Sequence, residues 1–199
     1  MRTVTYGGAV SLDGFLAGAT GALDWLHFSP DVQQVMADYW KTIDVILMGR
    51  KTYAASIAAR GSQKKRKRAT TVNVKAPAIR TYVFSRTLPR VDDPGIEIVS
   101  SDAAAFVRRL KEQPGRDICL MGGGELAQSL IGAGLVDRVG LNIHPVLLGN
   151  GIPVFRDPGH RVSLRMTECR TLDGGCILAN YEVLSPGGPE PKPEAYSVE

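Results

Sequence analysis

Apolar residues follow two rhythms along this chain. Short apolar runs closed by glycine, proline, serine or aspartate read as strands: Val4–Val10, Ile43–Met48, Thr81–Phe84, Ile96–Val99, Asp117–Met121 and Leu135–His144. Ile43–Met48 carries Asp44 in an otherwise apolar stretch, which suits a central parallel strand. Between the strands the spacing becomes helical. Ser29-Pro30-Asp31 reads as a helix start, with Ser29 as N-cap and Pro30 at the first helical position, and Val32, Val35, Met36, Tyr39 and Trp40 share one face. Helices are also predicted over Thr52–Ala59, over Ala103–Lys111, and from Glu125 through Leu126, Leu130 and Ile131.

Punctuation completes the pattern. Ser11-Leu12-Asp13-Gly14 is a turn, and the small, glycine-rich Phe15–Gly21 reads as a mobile loop. Ala59–Pro77 is basic, polar and aperiodic, an exposed loop; Pro145–Gly151 is a turn. Val162–Thr171 and Cys176–Leu184 form a hairpin around Asp173-Gly174. Strands and helices alternate to about residue 140 and antiparallel β follows, so the expected fold is α/β: a three-layer α/β/α sandwich, its central sheet mostly parallel, with a C-terminal antiparallel hairpin. One domain, residues 1–184, is expected, followed by a Pro-, Gly- and Glu-rich tail at 185–199.

Composition narrows the class. At 199 residues, with 44% hydrophobic and 22% charged positions, the chain can bury a full core without staples and reads as soluble and globular. No apolar run is long enough for a membrane span, and MRTVTYGGAV lacks the apolar core of a signal peptide. Cys119, Cys169 and Cys176 form no CxxC pair, which fits free thiols in a reducing, cytoplasmic compartment. Cys169 and Cys176 flank the hairpin turn, too little to predict a disulfide. Much of the net charge of +4 lies in Lys64–Arg68, which reads as a solvated loop; with the remainder nearly balanced, a nucleic-acid partner is not expected.

Candidate chemistry begins at Asp117–Leu130. There an apolar strand breaks into Gly122, Gly123 and Gly124 and opens a helix at Glu125. Glycines let a ligand approach the backbone, and a helix N-terminus offers unpaired N–H groups suited to a phosphate. Alone, this is better read as a tight strand-to-helix turn. Met48-Gly49-Arg50-Lys51-Thr52 repeats the device with two cations and a hydroxyl, and Ser85-Arg86 closes the next strand. In a parallel sheet these strand ends share one edge, where ligands bind. Together they point to a dinucleotide, and the cations point to NADP over NAD. GxGxxG is absent, so this is not the usual Rossmann fingerprint.

SLDGFLAG, ALDW, ILMGRKTY, YVFSRTL, MGGGELAQSLIGAGLVDRV and HPVLLGNGIPVF, in this order, resemble the dihydrofolate reductase-like superfamily. The most similar branch is the C-terminal reductase domain of the riboflavin-biosynthesis protein RibD, with the resemblance running from about Arg2 to Leu184. It implies an α/β fold with NADPH across the strand ends. By position, Gly49, Arg50, Lys51 and Thr52 match a phosphate-holding turn, and Ser85 and Arg86 match the pair near the 2′-phosphate. Gly122, Gly123, Gly124, Glu125 and Leu126 match the turn under the pyrophosphate and nicotinamide, while Ala9, Leu16 and Ala17 match the nicotinamide wall. Asp13 matches an acid near the substrate pocket, a candidate for substrate anchoring or proton supply. Relatives of this branch are commonly dimers, and the apolar Leu135–Leu184 segment suits a homodimer.

Two positions depart from the pattern. The pterin-binding carboxylate of dihydrofolate reductases falls at Val32 or Gln33, with Asp31 alongside, and Met121 stands where RibD reductases carry an acid before the glycine turn. Trp25 is a candidate to stack on a flat substrate and is equally explained as a core aromatic; His144 is a candidate to line the pocket, with a structural role the better reading. His27, His144 and His160 lack metal spacing, and no serine has an evident His/Asp partner. The leading expectation is an NADPH-dependent reductase of a small heterocyclic or carbonyl/imine substrate. The alternatives are a non-catalytic NADP-binding protein of the same fold and dihydrofolate reduction itself.

Overall fold

Among the described residues, ten strands and four α-helices follow in the order β1 (Val4–Ser11), β2 (Phe15–Gly18), α1 (Pro30–Thr42), β3 (Ile43–Gly49), α2 (Arg50–Arg66), β4 (Arg80–Phe84), β5 (Ile96–Val99), α3 (Ala103–Glu112), β6 (Asp117–Met121), α4 (Glu125–Gly132), β7 (Arg138–His144), β8 (Gly151–Pro153), β9 (Leu164–Leu172) and β10 (Cys176–Val183). The structure is a computed structural model that describes residues 1–66, 79–122 and 124–184. Eight strands form one sheet in the order β5-β4-β3-β6-β1-β7-β10-β9. The six from β5 to β7 run parallel, while β10 is antiparallel to both β7 and β9. β2 and β8 pair separately.

Alternation along β1 sorts the two faces of the sheet. Val4, Tyr6 and Val10 are buried with Val107 and Leu110 of α3 and Ala127 and Leu130 of α4 in the main core. Thr5, Gly7 and Ala9 point the other way, toward the layer of α1 and α2. There Tyr53 of α2 packs on Met48 and Val83, and Val32 of α1 packs on Leu172, Cys176 and Leu178. Only Val32 of the apolar face of α1 is buried. The rest of that face overlooks a cavity.

The helix starts follow from their caps. Ser29 Oγ accepts from Val32 N at 3.4 Å, with Pro30 at the first position where its missing N–H costs nothing. Asp102 caps α3 by accepting from Ala105 N at 2.7 Å.

Two elements differ from expectation. Phe15–Gly18 is a strand, not a loop. Gly151 makes its pairing with β8 possible, since a Cβ there would stand 2.2 Å from the Ala17 carbonyl oxygen. Glycine richness reads as a loop in sequence, yet here it serves close strand approach. Helix α2 continues past Ala59 to Arg66, because Gln, Lys and Arg support a helix as readily as a loop. The basic run thus begins on the end of α2; Lys67 and Arg68, like Gly123 and the tail 185–199, lie outside the described residues.

The N-terminal ends of the parallel strands carry an internal charge network. Arg2 pairs with Asp44 and donates to the Arg116 carbonyl at 2.5 Å, and Asp44 also accepts from Arg116 N at 2.9 Å. Lys111 Nζ lies 2.7 and 2.6 Å from the two oxygens of Asp137, which also accepts from Val4 N at 2.7 Å. No helix among the described residues is long and apolar enough to cross a membrane.

Candidate active site

The opposite, C-terminal edge brings together the turns that the sequence singled out. Register places Gly49 beside Phe84 on one side, and Met48 beside Met121 on the other. Gly49 therefore ends β3, and Ser85 and Gly122 follow the adjacent β4 and β6. Gly122 and Gly124 both have φ of +87°, a conformation that favours glycine. A Cβ on Gly122 would stand 2.1 Å from Thr52 Oγ1, so the two glycine turns are pressed together. The N-termini of α2 and α4 open beside each other on one cleft, and both offer unpaired N–H groups there.

Side chains add charge. Arg50 donates to Thr87 Oγ1 at 3.2 Å, which holds its guanidinium beside the Ser85 turn. Ser85 Oγ accepts from Thr87 N and Leu88 N at 3.2 and 2.9 Å, leaving its proton to donate outward. Arg50, Lys51, Arg86 and Arg156 line the cleft, and none makes an ion pair among the described residues.

The floor of the cleft is the sheet face bearing Gly7 and Ala9. Gly7 is pressed against β7, where a Cβ would stand 1.8 Å from the Gly140 carbonyl oxygen. The pairing Ala9↔Asn142 continues the floor outward to His144. Cys119 also lines the floor, but burial pushes its thiol up to about 11, so it is protonated at neutral pH and no nucleophile. The cavity encloses about 1440 Å³, above the usual range for one small ligand.

Most anticipated residues meet here. Ala9 lies on the floor and Leu16 and Ala17 line the cleft beside it; Gly49, Arg50, Lys51, Thr52, Ser85, Arg86, Gly122, Gly124, Glu125 and Leu126 line the end with the two glycine turns; His144 lines the far end. Asp13 does not. Its carboxylate accepts from Ser11 Oγ at 2.6 Å, from Leu148 N at 3.0 Å and from Gly149 N at 2.7 Å. The Ser11 hydroxyl first, then these two N–H groups, hold its pKa below the usual carboxylate value. It anchors a loop and, ionised, has no proton to supply at neutral pH. Trp25 stands behind the wall, edge-on to His144 with ring centroids 5.3 Å apart, so it does not stack across the cavity. Asp31 is turned toward the hairpin, accepting from Asp173 N at 2.7 Å, while Val32 faces the cavity.

Gly7, Gly140, Arg156 and Ser100–Asp102, which lead into α3, also line the cleft, and sequence reasoning does not single them out. Gly7-Gly8 inside a strand pattern is the one signal for them, because strand glycines mark close approach. Arg156 follows a loop and has none. No cluster of three or more His, Cys, Asp or Glu able to hold a metal occurs among the described residues.

The donor set suits a phosphate-bearing dinucleotide: two helix N-termini, a free hydroxyl proton, four cations and a glycine cradle that side chains would fill. Similarity to known proteins agrees in fold. The chain superposes on a Shewanella sp. PV-4 protein provisionally placed in riboflavin biosynthesis with a TM-score of 0.76 at 20% identity, covering 92% of this chain and 100% of that one. It superposes on Enterococcus faecalis dihydrofolate reductase, complexed with NADP(H) and RAB-propyl, with a TM-score of 0.60 at 13% identity, covering 92% and 97%. In sequence it is 36% identical over 175 residues to the uncharacterized protein YyaP of Bacillus subtilis (strain 168), covering 87% of this chain and 90% of that protein. Residues 2–178 match the RibD C-terminal domain, and the chain belongs to that family.

Proposed function

We propose that this protein is an NADPH-dependent reductase of a small heterocyclic, carbonyl or imine substrate. The observation that carries the reading is the convergence of the β3–α2 and β6–α4 turns, with Arg50, Lys51, Arg86 and Arg156, on one cleft. In this reading Gly49–Thr52 and Gly122–Leu126 hold the pyrophosphate by backbone N–H groups. Arg50, Ser85 and Arg86 hold the 2′-phosphate through charge-assisted bonds. Ala9, Leu16 and Ala17 orient the nicotinamide against the floor. When bound, the cofactor is the hydride source, and the protein supplies position and electrostatics.

NADPH titration followed by NADPH oxidation over a panel of pterins, flavin precursors and small carbonyls tests this. Saturable NADPH binding and turnover of a panel member are expected; no NADPH binding would sink the reading. Binding without turnover favours the second reading, a non-catalytic NADP-binding protein. The engagement of Asp13 by its loop speaks for that rival. Folate reduction itself is the weaker alternative, since Val32 rather than a carboxylate faces the cavity from the start of α1. A homodimer is supported by β9, an edge strand exposed along Arg165–Thr171, with Met166 54% exposed. Light scattering at micromolar concentration should give twice the chain mass, and a monomer would reject it.

A further inference from the structure

The cleft continues past Ala9 and Asn142 over the faces of β10 and β9, and its chemistry changes on the way. At the phosphate end the cations lack counter-charges among the described residues. At the far end the wall is apolar: Leu26, Phe28, Val32, Val35 and Met36 from α1 and the loop before it. Phe28 and Met36 are 51% and 39% exposed, surface that an apolar ligand would cover.

The charged groups at that end are already matched. Arg170 Nε lies 3.0 Å from Glu168 Oε1, and Glu168 Oε2 accepts from Asn180 Nδ2 at 2.7 Å. Asp38 accepts from Lys41 and Gln34 at 2.7 and 2.8 Å. His144 accepts at Nδ1 from His27 N at 3.4 Å and, 2% exposed, is held neutral by burial. Asp31, at the start of α1, faces the hairpin. An anion entering here would lose its water and find no free cation among the described residues, and a protonated ring would find no free carboxylate there; both are costly.

We infer that the substrate is uncharged and largely apolar, a compact carbonyl or imine compound carrying no phosphate, carboxylate or protonated ring. This rests on the reductase reading above and names the substrate class for the same site. The apolar face of α1 covers the substrate, and the Glu168–Arg170–Asn180 cluster closes the end of the pocket without presenting net charge.

Calorimetry on the full-length protein, with and without saturating NADP, tests the inference with three probes: quinoxalin-2-one, quinoxalin-2-one-3-carboxylate and ribose 5-phosphate. The neutral bicycle should bind about ten-fold more tightly than its carboxylate, roughly the worth of one charge-assisted contact. With NADP saturating the other end of the cleft, ribose 5-phosphate should give no saturable heat. Glu168→Gln, which strips Arg170 of its counter-charge, should shift the preference toward the carboxylate by a similar factor. Carboxylate binding equal to or tighter than the neutral probe, saturable ribose 5-phosphate binding at this end, no binding of quinoxalin-2-one, or an unshifted preference in Glu168→Gln would each overturn it. Absent NADP binding alongside retained quinoxalin-2-one binding would reject the cofactor reading and, with it, the substrate role, a result distinct from the failures of this inference named above.

Discussion

The two edges of the parallel sheet are both rich in arginine and lysine, and they use them in opposite ways. At the N-terminal edge the side chains of Arg2 and Lys111 are 6% and 7% exposed and turned inward onto Asp44 and Asp137. At the C-terminal edge Arg50, Lys51 and Arg86 are exposed, face a cleft and make no ion pair among the described residues. One set satisfies charge within the fold. The other carries its charge unpaired among the described residues beside two helix N-termini, an arrangement suited to an anion. Composition counts the two sets alike, and strand direction separates them.

The largest effect should follow from Gly122→Val. Its Cβ would meet Thr52 Oγ1, and φ of +87° strains any β-branched residue by about 1–3 kcal/mol. Relief of the clash separates the two glycine turns, so measurable NADPH binding should be lost. Calorimetric affinity and the ligand-free unfolding midpoint are read together. A folded variant with wild-type affinity would remove the phosphate site from this edge.

Asp44→Ala should do the reverse. It leaves the guanidinium of Arg2 without its carboxylate and Arg116 N without an acceptor. Losing one partner of a buried pair costs about 3 kcal/mol, the low end because Asp44 is 28% exposed. Urea unfolding should show that loss while NADPH affinity stays at the wild-type value. A changed affinity with unchanged stability would break the division between the edges.

Much of this division is legible in the amino-acid sequence. Strand ends at Gly49, Ser85 and Met121 are marked by residue type, and parallel order places them on one edge. Pairing is not legible. Asp44 in an apolar run gives no sign of Arg2, which is 42 positions away. Glycines are equally ambiguous. Gly115 and Gly122 both have positive φ, yet an added Cβ would meet Asp44 and Arg2 at the first and Thr52 at the second. Asp13 misleads because proximity in a motif does not say where a carboxylate turns, and two backbone N–H groups from residues 148 and 149 decide that here. Arg156 escapes sequence reasoning because a loop brings it to Gly124 across the fold.

Within the C-terminal edge, Arg86→Ala sharpens the comparison further. If Arg86 meets the 2′-phosphate, NADPH should weaken by about 1.5 kcal/mol, the low end for a charged hydrogen bond because the residue is exposed. NADH should be unaffected, since it lacks that phosphate. Parallel titrations of both cofactors decide it, and equal weakening would move the 2′-phosphate elsewhere.

The smallest effect concerns His144, which ends β7 beside the cleft and carries a stability cost that the N-terminal ion pairs do not. Burial first, and His27 nearby, push its pKa below the ordinary histidine value. The unfolded chain therefore binds this proton more readily than the folded one. Above about pH 6.5 the ring is neutral in both states and contributes nothing. As pH falls through that value the unfolded state protonates first, and stability declines until the folded pKa is passed. Asp13 and Asp31 have lowered pKa values instead, so their contribution is lost only as pH falls below the ordinary aspartate value, about 3.9, toward their folded values. The histidine window therefore opens at the higher pH. Urea midpoints at pH 7.5, 6.5 and 5.5 should decline in the wild type and decline less in His144→Gln, which has no proton to gain there. Identical slopes in the two proteins would show that the ring is not held neutral at this edge.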